Sequence, residues 1–412
     1  MVENWLKLSL ILCFFGFLKE IRPSEPFIYE YLTGSWRNIT GDEVTSEVYP
    51  VATYSYLVLL VVVFLITDLL RYKPLIVTLG FSGIIFSALL IWTTSLFALQ
   101  VTEVFYGIFM AAEVAYYTYI YAKVEKERYS VVTSHTRASI LAGRFVSGIL
   151  GQILISFKFM DYKELNYITF TAMMMATFWS FFLPPVKESI YFHRHVEEIT
   201  TRRTRFFKGV SLMKEHIYQS FSNIYVIKWS VWYALGTCCF LQVQTYMQPL
   251  WNYVIGDSKR TLYNGAVEAI LTLLGFFVAL LAGIIKIQWD LKGDILRIIC
   301  CTLQGIIIVI GATTHNIYVC YICYIVYGAL YHFVITIVSA EIAKRVKNDT
   351  FGLIFGFNTF IAMIFQSLLT LVVVNDIFEL LLDIRQQYIV YGCFCFLLLS
   401  LMFLILFLVN VY

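Results

Sequence analysis

The sequence predicts an all-α polytopic membrane protein, twelve apolar helices in two sets of six. Three observations carry this expectation. First, of 412 residues 60% are hydrophobic and only 14% charged, with a mean hydropathy of +0.76. Soluble domains carry roughly 25% charged residues, so this chain could not cover a water-facing surface. Second, its apolar runs have the length of membrane helices: a span needs about 20 apolar residues, and with a loop each crossing takes roughly 30 to 35 residues, which allows about twelve. Third, one long polar stretch at residues 187–228 divides the runs six and six. An ordinary soluble enzyme is excluded. So are disordered, nucleic-acid-binding and collagen-like chains, because the net charge is only +3 and the 22 Gly and 7 Pro show no bias.

The first six runs cover residues 5–32, 51–70, 74–94, 97–122, 138–157 and 165–184. The second six cover 229–251, 262–289, 295–314, 317–343, 351–374 and 388–411. The expected organisation is an N-terminal bundle over 1–186, a basic cytoplasmic linker over 187–228 and a C-terminal bundle over 229–412. The linker, with Arg194, Arg202, Arg203, Arg205, Lys208 and Lys214, reads as a connecting loop or as one containing an amphipathic helix on the membrane surface. The first run has a polar interruption and no small-residue cleavage site, so it reads as a retained span.

Placing both termini in the cytoplasm sorts the basic loop residues twenty inside against six outside. The excess inside is what orients helices in the bilayer. The sequon Asn38-Ile39-Thr40 then lies outside as a glycosylation acceptor, whereas Asn348-Asp349-Thr350 lies inside and stays unmodified. The nine cysteines fall in apolar runs and read as small core residues, Cys320-x-x-Cys323 included.

Ionisable groups inside spans cost about 2.5 to 3.5 kcal/mol each on insertion scales and normally face protein or a water-filled cavity. Function should therefore show at these positions. Lys19, Glu20, Arg22 and Glu25 interrupt the first span beside Pro23 and Pro26. Proline removes a backbone donor, so a broken helix is expected, a recurring substrate-site device in transporters. The alternative is a kink whose charges pair among themselves. In the fourth span Glu113 shares a helix face with Tyr116 and Tyr117, an arrangement suited to an organic cation through charge pairing and cation–π attraction. Glu113 also reads as a partner for Arg144 of the fifth span. Asn264 and Glu268, four apart, open the eighth span and face a cavity or another helix. Asp68 precedes Arg71-Tyr72-Lys73 and reads as a gate or helix-end ion pair, and Glu103 as a further gating group. No metal cluster, nucleotide-binding loop or nucleophile elbow occurs, so neither an enzyme nor a cofactor is expected. Active transport would then draw on an ion gradient or on proton or organic-ion exchange.

Several of these segments together resemble the reduced-folate and thiamine carrier family. They are Arg22-Pro23-Ser24-Glu25-Pro26-Phe27, Thr53-Tyr54-Ser55-Tyr56-Leu57-Val58, Arg71-Tyr72-Lys73-Pro74 and Glu103-Val104-Phe105-Tyr106-Gly107. Ala111-Ala112-Glu113-Val114-Ala115-Tyr116-Tyr117, Tyr263-Asn264-Gly265-Ala266-Val267-Glu268-Ala269 and Asn358-Thr359-Phe360 extend the resemblance over nearly the whole chain. It implies a major-facilitator fold, two six-helix bundles rocking around a central vitamin site in a plasma-membrane carrier. Folate carriers of the family place Arg at Glu113, Lys at Gln366 and Arg at Gly328, whereas thiamine carriers match this chain at Glu113 and Gln366. Opposite against like charge at about 4 Å is worth about a kcal/mol or more each way even in a wet cavity. Thiamine or a related cationic vitamin is therefore the favoured cargo. Glu25, Glu113, Asn264 and Glu268 would form its polar site, Tyr116 and Tyr56 would stack on its ring, and Lys19, Arg22, Asp68, Glu103 and Arg144 would form gating ion pairs. The alternatives are folate or another organic anion held by Arg144, Lys19 and Arg22, and a vitamin sensor that does not transport. Two departures stand out: Ala52 where thiamine carriers have Trp, and Arg144 where relatives have a non-basic residue.

Overall fold

A computed structural model describes residues 2–125, 128–186, 191, 202–256, 262–284, 289–346, 350–375 and 382–399. Lys126, Arg194, Lys259, Arg260, Lys286, Lys347, the sequon asparagine Asn348 and the twelfth run beyond residue 399 lie outside the described residues. Every regular element among the described residues is helical. Apolar surroundings offer the backbone no other partner, so each span must satisfy its own N–H and C=O groups.

In chain order the helices are α1 (Val2–Lys19), α2 (Ile28–Thr33), α3 (Gly41–Glu43), α4 (Tyr49–Leu69), α5 (Lys73–Trp92), α6 (Leu96–Tyr119), α7 (Tyr129–Ser156) and α8 (Glu164–Ser180). After the linker come α9 (Arg202–Phe221), α10 (Ile224–Ile255), α11 (Asn264–Ile284), α12 (Trp289–Thr313), α13 (Ile317–Arg345), α14 (Phe351–Val373) and α15 (Ile384–Cys393). Polar side chains start them where the apolar runs begin. Ser95 accepts from the Ala98 N–H at 3.2 Å, Asn316 from Tyr318 at 3.0 Å, and Asp383 forms a reciprocal box with Gln386. Asn223 does the same for Tyr225 at 3.0 Å, so α10 begins at Ile224 and takes in the last residues assigned to the linker, Lys228 among them.

Nine helical segments of the described chain are long and apolar enough to cross a membrane. One runs without a break from Gly41 to Leu69, through a π-helical turn at Val44–Val48. Three further expected spans correspond to helices that fall short of that measure: α1, which carries Glu3, Lys7 and Lys19, the 17-residue α8, and α15, which passes into a π-helical segment at Phe394–Leu399.

Packing follows the order of the chain. In the N-terminal half α4 and α5 pack on α6, α5 on α8, and α1 on α7 and α8; in the C-terminal half α10 packs on α13 and α14, α11 and α12 on α13, and α12 on α15. Two seams join the halves, α4 with α14 and α7 with α11. Each seam sets an early helix of one half against a late helix of the other. Small residues bring the backbones together where no hydrophobic force between helices exists. A Cβ on Gly148 would sit 2.7 Å from the carbonyl oxygen of Gly265, and one on Gly107 would meet Ser55 Cβ at 2.8 Å and Tyr56 N at 3.0 Å.

The helix α9 is docked rather than lying alone. Its Met213 packs with Tyr191 and Leu353, and Phe206 and Val210 join Phe64 at the end of α4. This defines a linker end of the molecule, opposite the upper end where residues 33–48 connect α2 to α4. At the linker end Asp68 accepts from the Tyr72 hydroxyl at 2.5 Å and from the Tyr191 N–H at 2.8 Å. Arg71 and Tyr72 take left-handed backbone (φ 60 and 65) to make this turn, and the Asp68 contact holds it there.

Backbone atoms opposite Gly107 cannot yield as a side-chain tip could. Gly107→Val is therefore expected to cost about 1 to 3 kcal/mol through overpacking, read as a lowered melting temperature of the detergent-purified protein. An unchanged melting curve would show that α4 and α6 can separate freely.

Candidate functional site

The first span is broken, as its prolines require. Helix α1 stops at Lys19, and a single 3₁₀ turn, Glu25–Phe27, leads into α2. The backbone freed by the break is satisfied from other helices. The Arg22 N–H donates to Ser147 Oγ of α7 at 2.8 Å, and Gln248 of α10 donates to the Glu25 carbonyl at 2.9 Å while accepting from the Tyr29 N–H at 3.0 Å. Asn264 of α11 donates to the Pro26 carbonyl at 3.0 Å and to Glu30 at 3.3 Å, and accepts from the Tyr321 hydroxyl at 2.9 Å. Gln152 adds bonds from α7 to the Leu262 carbonyl and the Ala266 N–H, and Tyr49 meets Tyr246 edge-on at 5.8 Å. These contacts seal the two halves together at the upper end.

Below the seal lies a network of six charges. Glu20, fully buried, is its hub. One carboxylate oxygen takes Lys19 at 2.5 Å; the other takes Arg22 at 3.1 Å and Arg144 Nε at 2.8 Å. Lys19 also donates to Glu113, and Arg22 to Glu25 at 3.1 Å. Aromatic faces complete the cations' surroundings: Lys19 lies 5.5 Å from the Tyr116 ring centroid, and Arg22 lies 5.3 Å from that of Phe109. Three cations and three carboxylates balance, the condition under which charge is tolerated at membrane depth.

Exposure separates the network into a buried side and an open side. The side chains of Lys19 and Glu20 are wholly buried and Arg22 is 6% exposed, while Glu25 is 47% and Arg144 41% exposed. Glu25 also accepts from the Tyr106 hydroxyl at 3.2 Å. Tyr56 lies within electrostatic reach of Glu113, Tyr117 and Tyr106, and Glu268, bonded by the Tyr324 hydroxyl at 2.9 Å, lies within reach of Glu25 and Arg144. Carboxylates from both halves thus stand close together among tyrosines, beside open space that leaves Glu25, Arg144 and Tyr117 between 41% and 47% exposed.

The structure brings Lys19, Arg22, Glu25, Glu113, Arg144, Tyr56 and Glu268 together and leaves others elsewhere. Tyr116 is 1% exposed, with its hydroxyl on the Leu12 carbonyl at 3.2 Å, and lies in the core beneath Gly16. Its neighbour Tyr117, 41% exposed, is the ring at the cavity. Asn264 belongs to the upper seal and Asp68 to the linker-end turn. Glu103, ten residues from Glu113 on α6 and hence about 15 Å away, lies near Arg37 instead. Arg144 bonds Glu20, whereas Glu113 bonds Lys19. Asn38 is exposed in the upper-end loop at φ 54, and Thr40 of its sequon caps α3 through a reciprocal box with Glu43. Sequence reasoning missed Gln248, Glu30 and Tyr324 as site or seal residues. The signal for the first two was a polar side chain within an apolar run, Gln248 directly before Pro249.

Removing the hub carboxylate leaves three cations without their shared partner. Glu20→Gln is expected to destabilise the protein by about 3 to 5 kcal/mol, the usual cost of breaking a buried pair. Glu25→Gln, half-exposed, should cost less than about 1 kcal/mol. Thermal unfolding of the two purified variants side by side checks the ordering, and equal losses would contradict it.

Comparison with known proteins agrees with this architecture. The POT family peptide transporter PepTSo superposes with a TM-score of 0.69 at 13% identity, over 98% of each chain, which shows a shared transporter fold. Human thiamine transporter 1 is 37% identical, covering 98% of this chain and 89% of that one. Folate transporter 1 of Caenorhabditis elegans is also 37% identical, covering 94% and 89%. The profile described as reduced folate carrier matches residues 3–390. A broken first span, a balanced charge network joining it to α6 and α7, and sequence similarity over nearly the full length lead to one conclusion: this multi-pass membrane protein, a transporter homologue and not an enzyme, belongs to the reduced folate carrier family.

Proposed function

We propose that the chain is a plasma-membrane carrier that moves thiamine, or a related cationic aromatic vitamin, by alternating access between bundles 1–186 and 229–412. Relatives named for thiamine and for folate are equally similar at 37% identity, so overall similarity does not choose the cargo. The observation that carries the choice is the division of the charge network. Glu25 is half-exposed and Glu113 and Glu268 are partly exposed, whereas of the three cations in the network Lys19 and Arg22 are buried against Glu20 and Arg144 alone is open. The positions where the resemblance implies folate-binding cations support the same reading. Gly328 has no side chain, and Leu271 lies 2.4 Å from where a Cβ would be; Gln366 is uncharged and 3% exposed.

In this reading Glu25 and Glu113 attract the cationic ring system, and Tyr56, Tyr106 and Tyr117 supply the ring faces. Tyr117 replaces Tyr116 as the stacking residue, because Tyr116 is in the core. Lys19 must shift from Glu113 as the cargo arrives. Asn264 acts in the seal, where its bonds to the first span break and reform with each cycle. The two halves meet at the linker end as well as at the sealed upper end, Gly356 of α14 lying against Phe64 of α4 and Gly352 against Thr118 of α6. Proton exchange is a coupling consistent with carboxylates at the cavity. A second reading, an organic anion such as folate, has one observation in its favour, the exposed guanidinium of Arg144.

Glu113→Gln should reduce saturable thiamine uptake by expressing cells about tenfold or more, the value of one charge-assisted contact, with surface expression measured in parallel. Unlabelled folate should fail to compete with labelled thiamine. Unchanged uptake, or competition by folate at equal concentration, would reject the cation reading. Orientation has its own check: Asn38→Gln should remove an N-glycan that endoglycosidase treatment of the parent protein also removes. Protection of Asn38 from glycosylation would place the upper end in the cytoplasm.

A further inference from the structure

Helix α9 has three different faces. Phe206, Val210, Met213 and Ile217, spaced four, three and four apart, turn toward the protein, where they gather with Tyr191, with Leu353 of α14 and with Phe64 of α4. Phe221 at the end of the helix meets Phe357 of α14 edge-on at 5.3 Å. The helix therefore touches both halves across the α4–α14 seam. A second face carries Arg203, Phe207, Lys214 and Tyr218, spaced four, seven and four apart. All four are exposed, the two rings at 60% and 76%. Arg203 lies 5.8 Å from the Phe207 ring centroid. The third face, with Thr204, Lys208, Ser211, Glu215 and Gln219, is polar and exposed.

A helix with one face on protein and one face fit for water needs a third surrounding for exposed rings set among cations. The level at which α9 lies supplies it. Phe64, which it packs against, is within the last two turns of α4, and the exposed apolar residues Leu69 and Leu70 after it, with Ile224 just beyond α9, mark where the lipid-facing surface of the spans ends. Headgroups of the bilayer lie at that level. Lys and Arg beside exposed aromatic rings are what an interfacial helix sets into such a layer, the cations meeting anionic lipid and the rings entering the acyl boundary. We propose that the face of α9 carrying Arg203, Phe207, Lys214 and Tyr218 binds the anionic lipid surface of the leaflet at the linker end, the cytoplasmic leaflet in the orientation of the proposed carrier. The leaflet then holds in place the helix that ties α4 to α14, so lipid composition bears on how firmly the two halves meet there. An acidic protein segment would satisfy the cations but offers no apolar layer for the rings. The inference does not depend on the cargo.

The test uses the full chain, purified in detergent and titrated with mixed micelles containing phosphatidylserine or, at equal mole fraction, phosphatidylcholine, binding being read from the shift in melting temperature. Phosphatidylserine is expected to raise the melting temperature above its value with phosphatidylcholine at about 0.1 M salt. The difference should vanish at about 1 M salt, where the screening length is about 3 Å. Each Lys or Arg near an anionic surface strengthens attachment about fivefold. Arg203→Gln combined with Lys214→Gln should therefore raise the phosphatidylserine concentration needed for half the shift about twenty-fivefold, and Phe207→Ser combined with Tyr218→Ser should raise it as well. Both double variants change exposed side chains and should melt like the parent without added lipid. Lys158→Gln, which removes an exposed charge at the upper end, should leave the titration unchanged. No preference for phosphatidylserine in the parent protein, an unchanged titration in either double variant, or an equal weakening by Lys158→Gln would each overturn the proposal. So would soluble polyglutamate producing the same shift, which would assign the face to an acidic protein segment instead.

Discussion

The Glu20 carboxylate is the constraint on which the rest of the site depends. Buried and bonded to Lys19, Arg22 and Arg144, it lets three cations sit at membrane depth, two of them buried and Arg144 part-exposed. Two of those contacts come from the broken part of the first span and one from α7. The hub therefore fixes where the break lies relative to the helix that also seats against the opposite half through Gly148. With the cations committed to Glu20, Glu25 is left half-exposed beside Tyr106, and the cavity takes its chemical character from what remains unspent. Such a hub is costly to desolvate, and a well-packed apolar core would serve stability equally well. Its presence is better explained by the charged groups it holds ready at the cavity edge.

The break in the first span serves a second purpose. A continuous helix would satisfy its own backbone and offer nothing to neighbours. Once broken, its Glu25 and Pro26 carbonyls and its Tyr29 N–H become partners for Gln248 and Asn264 in the other half. Each such bond is worth about 1 kcal/mol net, because water can replace it. A seal made of a few of these contacts is firm when dry and separable when wetted, which suits an end that must open and close. The seams behave differently. At the α7–α11 seam glycine brings backbones within van der Waals contact, and packing of that kind permits rocking about the seam better than it permits separation.

Much of this was legible in the residues. The composition and the length of the apolar runs demanded a helical membrane protein, since lipid leaves the backbone no alternative. The charges and prolines at residues 19–26 marked the break, and Glu113, Arg144 and Glu268 were visible as ionisable groups where lipid forbids them. Less visible was which group faces which. A helical spacing of three or four placed Tyr116 and Tyr117 equally near Glu113, and only the packing of Leu12 and Gly16 over Tyr116 turned one ring into core and left the other at the cavity. Asn264 and Glu268 likewise share a face, yet one reaches up to the Pro26 carbonyl and the other to Tyr324.

The sequence by itself determined the class of protein, the order of its spans and the set of charges that the membrane would have to accommodate, because each follows from local composition and the cost of exposing polar groups to lipid. The tertiary structure decided the pairing: Lys19 with Glu113, Arg144 with Glu20, and Gln248 with the backbone of the broken span. These partners lie 94, 124 and 223 residues apart in the chain. No periodicity along one helix records which face of another it will meet, so the sign each carboxylate and guanidinium presents to the cavity is settled only when the helices pack.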